Sequence, residues 1–439
     1  MDPNYQTSIT NFLSKPKEAR IDETDKVNGS IVESGYVFLL SKLAQKALRY
    51  NEKPMSMFGS GFEMCLNVFG NKRNFRLFVN NLLRGKVVVP SKESARFIST
   101  VGHLDNRVDL DKNIKPDQCN KYFASLAAMA SKLAYENNEF IRLTVEERWK
   151  MELLGAYNFR DEKYRGYTTQ AFMFQDKNAY PNTIFVAFRG TEIFSASDWI
   201  TDIDIQWYKS HNTKGKIHGG FIKALGLKPD MTNTKTDKHQ DAYDTILKDL
   251  KSHFETNHIT KFVLTGHSLG GALAVLFPAI LAMHNEIATL ERLEAIYTFG
   301  QPRVGDEEFV MFMKEQFEHY GVMYYRFVYS HDIVPRLPYD DSVMMFKHFG
   351  TCLYIDSLYE AKIVEDEPMK NYFEWGAIVS KRVDALWELV RSFLLARMFG
   401  QEYDEGLLLR MFRMTGLLCP GLPAHGIQDY INATRLATY

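Results

Sequence analysis

From Phe262 to Asn285 the chain has no Asp, Glu, Lys or Arg. Length and apolarity alone would make this stretch a membrane-span candidate. Pro278, the Gly270-Gly271 pair and the His267-Ser268 pair at its head argue instead for a buried strand followed by a buried helix. Cysteine is scarce. Cys65, Cys119, Cys352 and Cys419 lie far apart, with no Cys-x-x-Cys and no Cys/His ligand spacing, which speaks for reduced thiols over disulfides or a zinc site. An excess of one charge is lacking too: 53 Lys+Arg stand against 54 Asp+Glu, a net of -1. That balance removes the electrostatic case for nucleic acid or an acidic partner. Internal repeats and low-complexity segments are absent. The start, Met1-Asp2-Pro3-Asn4, lacks the basic-then-apolar build of a secretory signal, and Asp2 is incompatible with N-myristoylation. A cytosol-facing protein is expected.

With 439 residues the chain has room for one large α/β domain with additions, or for several domains. Residues 1–30 are polar, with a charge run from Lys15 to Lys26, and read as a loose tail. In the next segment, 31–115, Tyr36, Leu40, Leu43 and Ala47 fall at helical spacing, with Lys42, Lys46 and Arg49 on the other side. Pro54 to Asn71 then carries a single charge, Glu63, among Met55, Met57, Phe58, Phe62, Met64, Leu66, Val68 and Phe69. A basic cluster of Lys72, Arg73, Arg76, Arg84 and Lys86 follows. Such a segment is too short and interrupted to span a bilayer but suits insertion into one leaflet or a lipid-droplet monolayer. The competing reading is that these helices cover the core. From residue 116 to 350 helical and strand patterns alternate, which predicts α/β architecture with strands at 168–174, 183–188, 262–265, 295–299 and 324–328. An amphipathic helix is expected over 376–399, carrying Val383, Leu386, Leu389, Val390, Phe393 and Leu394.

The chemistry starts at Gly266-His267-Ser268-Leu269-Gly270-Gly271. A β-prone run, Lys261 to Thr265, precedes it, and the helical run Ala272 to Phe277 follows. A Gly-x-Ser-x-Gly between strand and helix is a nucleophile elbow, a strained turn that exposes the serine Oγ. Ester hydrolysis by serine further needs a base, a carboxylate to orient that base, and donors for the oxyanion. In α/β-hydrolases the order is serine, acid, histidine. Asp332, just past the strand 324–328 and locked by Pro335 and Pro338, is the favoured acid. Its rival, Asp306, opens a helix and is expected to cap it. Two histidines follow Asp332: His348 heads a strand through Cys352 and Tyr354, and His425 sits in a loop before a final helix. Pattern favours His425 and leaves His348 open. His267 is expected to shape the elbow. Oxyanion donors are expected from Leu269, after the nucleophile, and from Thr191, at the end of the strand 184–188. Beyond Thr191, Ile193, Phe194, Trp199 and Ile200 alternate with Asp198 and Asp202, a lid candidate whose alternative is an ordinary surface helix.

Phe188-Arg189-Gly190-Thr191, Ile217-His218-Gly219-Gly220-Phe221, Gly266–Gly271, Phe299-Gly300-Gln301-Pro302-Arg303-Val304-Gly305 and Asp332-Ile333-Val334-Pro335-Arg336-Leu337-Pro338 together resemble the class 3, fungal-type triacylglycerol lipases. The resemblance covers about residues 120–360 and resumes at His425. It implies an α/β-hydrolase fold over 116–439, Ser268 as nucleophile, Asp332 as acid, Thr191 as oxyanion donor and the segment after Thr191 as lid. In that family the catalytic histidine is followed closely by a tyrosine, which points to His425 with Tyr430. The N-terminal extension and a helical insertion at about 365–420 look like those of the plant oil-body lipases. The implied activity is triacylglycerol hydrolysis without metal or organic cofactor, at the surface of a lipid droplet (oil body) or the cytosolic face of a membrane. The expected partners are a lipid substrate and a lipid surface, with oligomeric state left open. A phospholipase A1 or galactolipase would use the same triad, and a catalytically silent lipid-binding scaffold is the reading from another class.

Overall fold

The computed structural model describes residues 23–69, 90–161, 166–192, 202, 207–209, 214–226, 242–342, 344–372 and 378–438. Helix α1 spans Glu23–Phe69, α2 Thr100–Leu104, α3 Cys119–Leu133 and α4 Asn138–Leu143. Strands β1 (Glu152–Asp161), β2 (Gly166–Gln175) and β3 (Thr183–Phe188) follow, then the short pair β4 (Trp207–Tyr208) and β5 (Ile217–His218). Helices α5 (Gly219–Ala224) and α6 (Ala242–Thr256) lead into β6 (Lys261–His267), α7 (Leu269–Met283), α8 (Ile287–Leu290), β7 (Leu293–Phe299), α9 (Glu307–Tyr320) and β8 (Met323–Tyr329). The last part holds β9 (Thr351–Ile355), β10 (Ala361–Val364), α10 (Ile378–Arg391), α11 (Leu395–Phe399), α12 (Leu407–Thr415) and α13 (Ile427–Leu436).

Eight strands form one sheet in the order β1-β2-β3-β6-β7-β8-β9-β10. The five central strands, β3 to β9 in that order, run parallel, and antiparallel pairs close both edges. Period-two alternation divides the core between the two faces. Ile184, Val186 and Phe188 of β3, with Phe262 and Leu264 of β6, join the side packed by α5, α6, α7 and α9. Phe185, Ala187 and Val263 turn to the side packed by α3 and α13. The uncharged stretch from Phe262 is strand β6 and helix α7, and α7 is apolar all round because it is buried all round. Among the described residues no helix is long and apolar enough to cross a membrane.

The expected strands all form, while β1 and β10 carry no apolar run strong enough to announce them. Asp306 caps α9, its side chain accepting from the Phe309 N–H, and Gly321 ends that helix at φ 66°. Two boundaries differ from expectation. Helix α1 takes in residues from Glu23 onward, inside the stretch read as a tail. The helix expected over 376–399 is divided into α10 and α11. Cys65, Cys352 and Cys419 are free thiols.

Helix α1 docks through its last turns. Glu63 accepts hydrogen bonds from the N–H and hydroxyl of Thr100 at 3.1 and 3.2 Å. Asn67 exchanges hydrogen bonds with the backbone of Ile98 at 2.8 and 2.9 Å. Leu43, Tyr50, Met57 and Phe58 remain exposed.

Candidate active site

Three parallel strands end at the site. Strand β6 delivers Ser268, whose φ of 59° and ψ of -130° leave the ordinary regions. Only an over-determined turn holds a non-glycine residue there. The Ser268 N–H donates to the Phe299 carbonyl of β7 at 2.9 Å. Glycine is required on both sides: a Cβ on Gly266 would lie 2.2 Å from the Gly270 backbone, and one on Gly270 would lie 2.2 Å from the Phe188 carbonyl oxygen. Any side chain at either position would drive β6, α7 and β3 apart.

Behind β8, Asp332 is fully buried. Its Oδ1 accepts the Val334 N–H at 2.8 Å, an Asx-type turn that points the carboxylate back at the sheet. Arg336, itself buried, donates to the carbonyls of Ser330 and Asp332 and so clamps the loop. Arg303 from the loop after β7 donates to the Pro338 carbonyl at 2.9 Å and pairs with buried Glu367 at 2.9 Å. These contacts explain the basic residues within both motifs: they hold loop carbonyls that no strand can satisfy.

The site closes with His425, in a 3-10 turn (Pro423–His425) ahead of α13. Its Nδ1 lies 2.9 and 3.0 Å from the two Asp332 oxygens, and its Nε2 lies 2.8 Å from Ser268 Oγ. A buried carboxylate accepts only, so Nδ1 carries the proton and Nε2 is left to accept from the serine. Tyr430, one turn later on α13, donates to Asp332 Oδ2 at 2.5 Å and accepts the Tyr329 N–H at 3.2 Å. Burial, and then contact with the carboxylate, push the tyrosine pKa far up, so the hydroxyl stays a donor.

His267 is the other histidine at the elbow. Its Nε2–H donates to the His425 carbonyl at 2.7 Å, and its Nδ1 accepts from the Tyr135 hydroxyl at 2.9 Å. Burial pulls its pKa well below the ordinary value, so the ring is neutral and serves as a strut between the turn after α3 and the His425 turn. Tyr135 gave no signal in the sequence, because nothing local ties it to residues more than a hundred positions away. His348 stands apart. Its Nε2–H donates to the Pro335 carbonyl at 2.7 Å, and burial beside Arg326 and Arg303 holds it neutral.

The loop after β3 presses on the serine: a Cβ on Gly190 would lie 2.5 Å from the His267 carbonyl oxygen and 3.1 Å from Ser268 Cβ. This brings Thr191 beside the elbow, with its hydroxyl donating to Asp202 Oδ2 at 2.7 Å. Leu269 opens α7, where the first N–H groups have no intrahelical acceptor. The lid candidates Ile193, Phe194, Trp199 and Ile200 lie outside the described residues, as does the basic cluster Lys72 to Lys86. Among the described residues no group of three or more His, Cys, Asp or Glu side chains is arranged to hold a metal ion.

A mostly parallel sheet that raises its serine between strand and helix, followed in the chain by the aspartate and then the histidine, is an α/β-hydrolase. The profile of the lipase (class 3) family matches residues 185–342. Triacylglycerol lipase OBL1 of Nicotiana tabacum is 38% identical over 94% of this chain and 85% of its own. The protein of the same name from Arabidopsis thaliana is 37% identical over 98% and 90%. A lipase of Rhizomucor miehei is 32% identical over 38% of this chain and 40% of its own. The chain belongs to the class 3 lipase family and is a carboxylic ester hydrolase.

Proposed function

We propose that the chain is a serine-dependent triacylglycerol lipase working at the surface of a lipid droplet or membrane. The observation that carries this reading is the continuous line from Ser268 Oγ to His425 Nε2 at 2.8 Å and from His425 Nδ1 to Asp332 at 2.9 Å. The lipid class is supported by the names of the two plant relatives, whose alignments take in the N-terminal region as well as the hydrolase.

In the first half-reaction Ser268 Oγ attacks the ester carbonyl while His425 Nε2 takes its proton. Asp332 keeps Nδ1 protonated and stabilises the imidazolium that forms. The tetrahedral oxyanion takes hydrogen bonds from the backbone N–H groups of Leu269 and Thr191. His425 then returns its proton to the leaving diacylglycerol oxygen, and the C–O bond breaks. Water, deprotonated by the same histidine, releases the fatty acid from Ser268. Segment 193–200, which lies outside the described residues, is proposed as the lid, and the exposed Leu43, Met57 and Phe58 on α1 as lipid contacts, with 31–115 as the lipid-association region and 116–439 as the hydrolase.

Purified protein offered emulsified triolein, phosphatidylcholine and monogalactosyldiacylglycerol side by side tests the reading. Triolein should be preferred, and Ser268→Ala should lose on the order of 10⁶ in kcat, as in serine-protease triads. Preference for either polar lipid would move the substrate to phospholipid or galactolipid. Activity that survives Ser268→Ala would remove the nucleophile.

A further inference from the structure

Helices α10 and α12 are built inside out. Soluble surface helices bury an apolar stripe and expose charge. On α10 the buried side chains are Ala385 and three charged ones, Lys381, Glu388 and Arg391: Lys381 donates to the Tyr372 carbonyl, and Arg391 pairs with Asp429 at 3.0 Å. Glu388 lies 3.7 Å from Arg413 of α12, and Asp384 pairs with His331 at 2.7 Å. Arg413 in turn binds Glu405 at 2.5 Å and Asp429 at 3.0 Å. Val379, Val383, Leu386, Val390 and Phe393, spaced by four, three, four and three, form a stripe that is 45–74% exposed. On α12 and just past it, Leu407, Met411, Met414 and Leu418 are 56–88% exposed. A buried ion network is expensive to desolvate and is poor evidence for stability. Here it holds two helices with their apolar faces turned outward.

We propose that α10 and α12 form a docking platform for a phospholipid-covered lipid surface, and that it holds the Ser268–His425 site against that surface; this rests on the lipase reading above. The charges on the face select the occupant. Between residues 378 and 399 the acids are Asp384 and Glu388: Glu388 is buried against Arg413, and the half-buried Asp384 is paired with His331, so neither stands as a free negative charge on the apolar face. Arg382 and Arg397 are exposed among the apolar side chains. An apolar face with interspersed cations matches acyl chains beneath phosphate headgroups, with arginines reaching back to the headgroup layer. A second copy of the same face would set arginine against arginine.

The position agrees. Leu418 is seven residues from His425, and the Gly421 carbonyl accepts the Ile333 N–H at 3.4 Å beside Asp332. Asp429, the hub of the ion network, lies one turn beyond His425, at the start of α13. Helices α1 and α12 both pack on α2, so the platform adjoins the helix whose Met57 and Phe58 are exposed. Fixing α10 and α12 therefore also fixes the element that carries the catalytic histidine.

The test uses the full chain and triolein droplets coated with phosphatidylcholine and a minority of phosphatidylserine. Leu386→Glu, Phe393→Glu and Met411→Glu together place three charges on exposed positions, and should lower the droplet partition coefficient by roughly 100-fold or more. Emulsion turnover at limiting droplet surface should fall in parallel. Turnover of dissolved p-nitrophenyl butyrate and the thermal midpoint should stay near wild type. The apolar control Leu386→Met, Phe393→Leu, Met411→Leu should partition like wild type. Partition of the glutamate variant within twofold of wild type overturns the proposal, as does a shift from dimer to monomer with droplet binding intact, which would assign the face to a second copy. Should the glutamate variant unfold, Arg382→Glu with Arg397→Glu decides. It should weaken binding to phosphatidylserine-containing droplets at least fivefold, and unchanged binding overturns the proposal. A wild-type protein that partitions but hydrolyses no ester would sink the lipase reading and leave the platform standing.

Discussion

Replacing Tyr430 by phenylalanine removes one oxygen from the cradle around Asp332. The carboxylate is fully buried and takes three donors: the Val334 N–H, the His425 Nδ1–H and the Tyr430 hydroxyl at 2.5 Å. A hydrogen bond to a charged group contributes about 1.5–3 kcal/mol. The Tyr329 N–H would also lose its side-chain acceptor at 3.2 Å, for about another 1 kcal/mol. Tyr430→Phe should therefore lower the unfolding free energy by roughly 2.5–4 kcal/mol. The effect on rate should be far smaller. Tyr430 bonds the carboxylate both before and during proton transfer, so the missing donor is missing from both states and kcat should fall less than about tenfold. Asp332→Asn is the contrast: it removes the charge and favours the wrong imidazole tautomer, with an expected loss of about 10⁴. Urea unfolding and kcat on a dissolved short-chain ester, measured on the same preparations, separate the two effects. Unchanged stability in Tyr430→Phe, or a rate loss as deep as that of Asp332→Asn, would refute the reasoning.

His425→Ala should be nearly as severe as loss of Ser268, whereas His348→Ala, which removes a donor from the Pro335 carbonyl, should lower stability and keep most of the activity of the folded fraction; the reverse result would reassign the base. Thr191→Val keeps the backbone N–H and removes the hydroxyl bonded to Asp202, so kcat should fall by no more than the roughly 10²–10³ of a deleted oxyanion donor, and an unchanged kcat would exclude the side chain from the mechanism. Glu136, buried against Ser99, has its carboxyl pushed up to about 7 by desolvation, from 4.5. A carboxyl raised in the folded state contributes stability that is full below about pH 4.5 and is lost as pH climbs through about 7, roughly 3 kcal/mol at most. Glu136→Gln should flatten that slope, and urea midpoints across the window that fall as steeply as in wild type would assign it elsewhere.

How much was legible without coordinates depends on how local each signal is. The elbow was, because Gly266, Ser268 and Gly270 must be contiguous for the strand to turn into the helix without collision. Strands β3, β6, β7 and β8 were too, since strands buried on both faces read as short apolar runs. So was the Asp306 cap, which acts within a single turn. His348 and His425 were harder to separate from pattern, as both follow Asp332 and both have plausible surroundings. Their difference is one of distance in space: one ring lies against Ser268 and the other against Pro335. The Tyr135–His267–His425 strut and the Arg303–Glu367 pair join residues far apart in sequence and leave no periodic trace. The insertion shows the limit most plainly. Its 3.6-residue period was readable in Val383, Leu386, Val390 and Phe393, and a period says which side chains share a face. Which way that face points was decided by Asp429 and Glu405, whose carboxylates draw Arg391 and Arg413 into the interior and turn the apolar side outward.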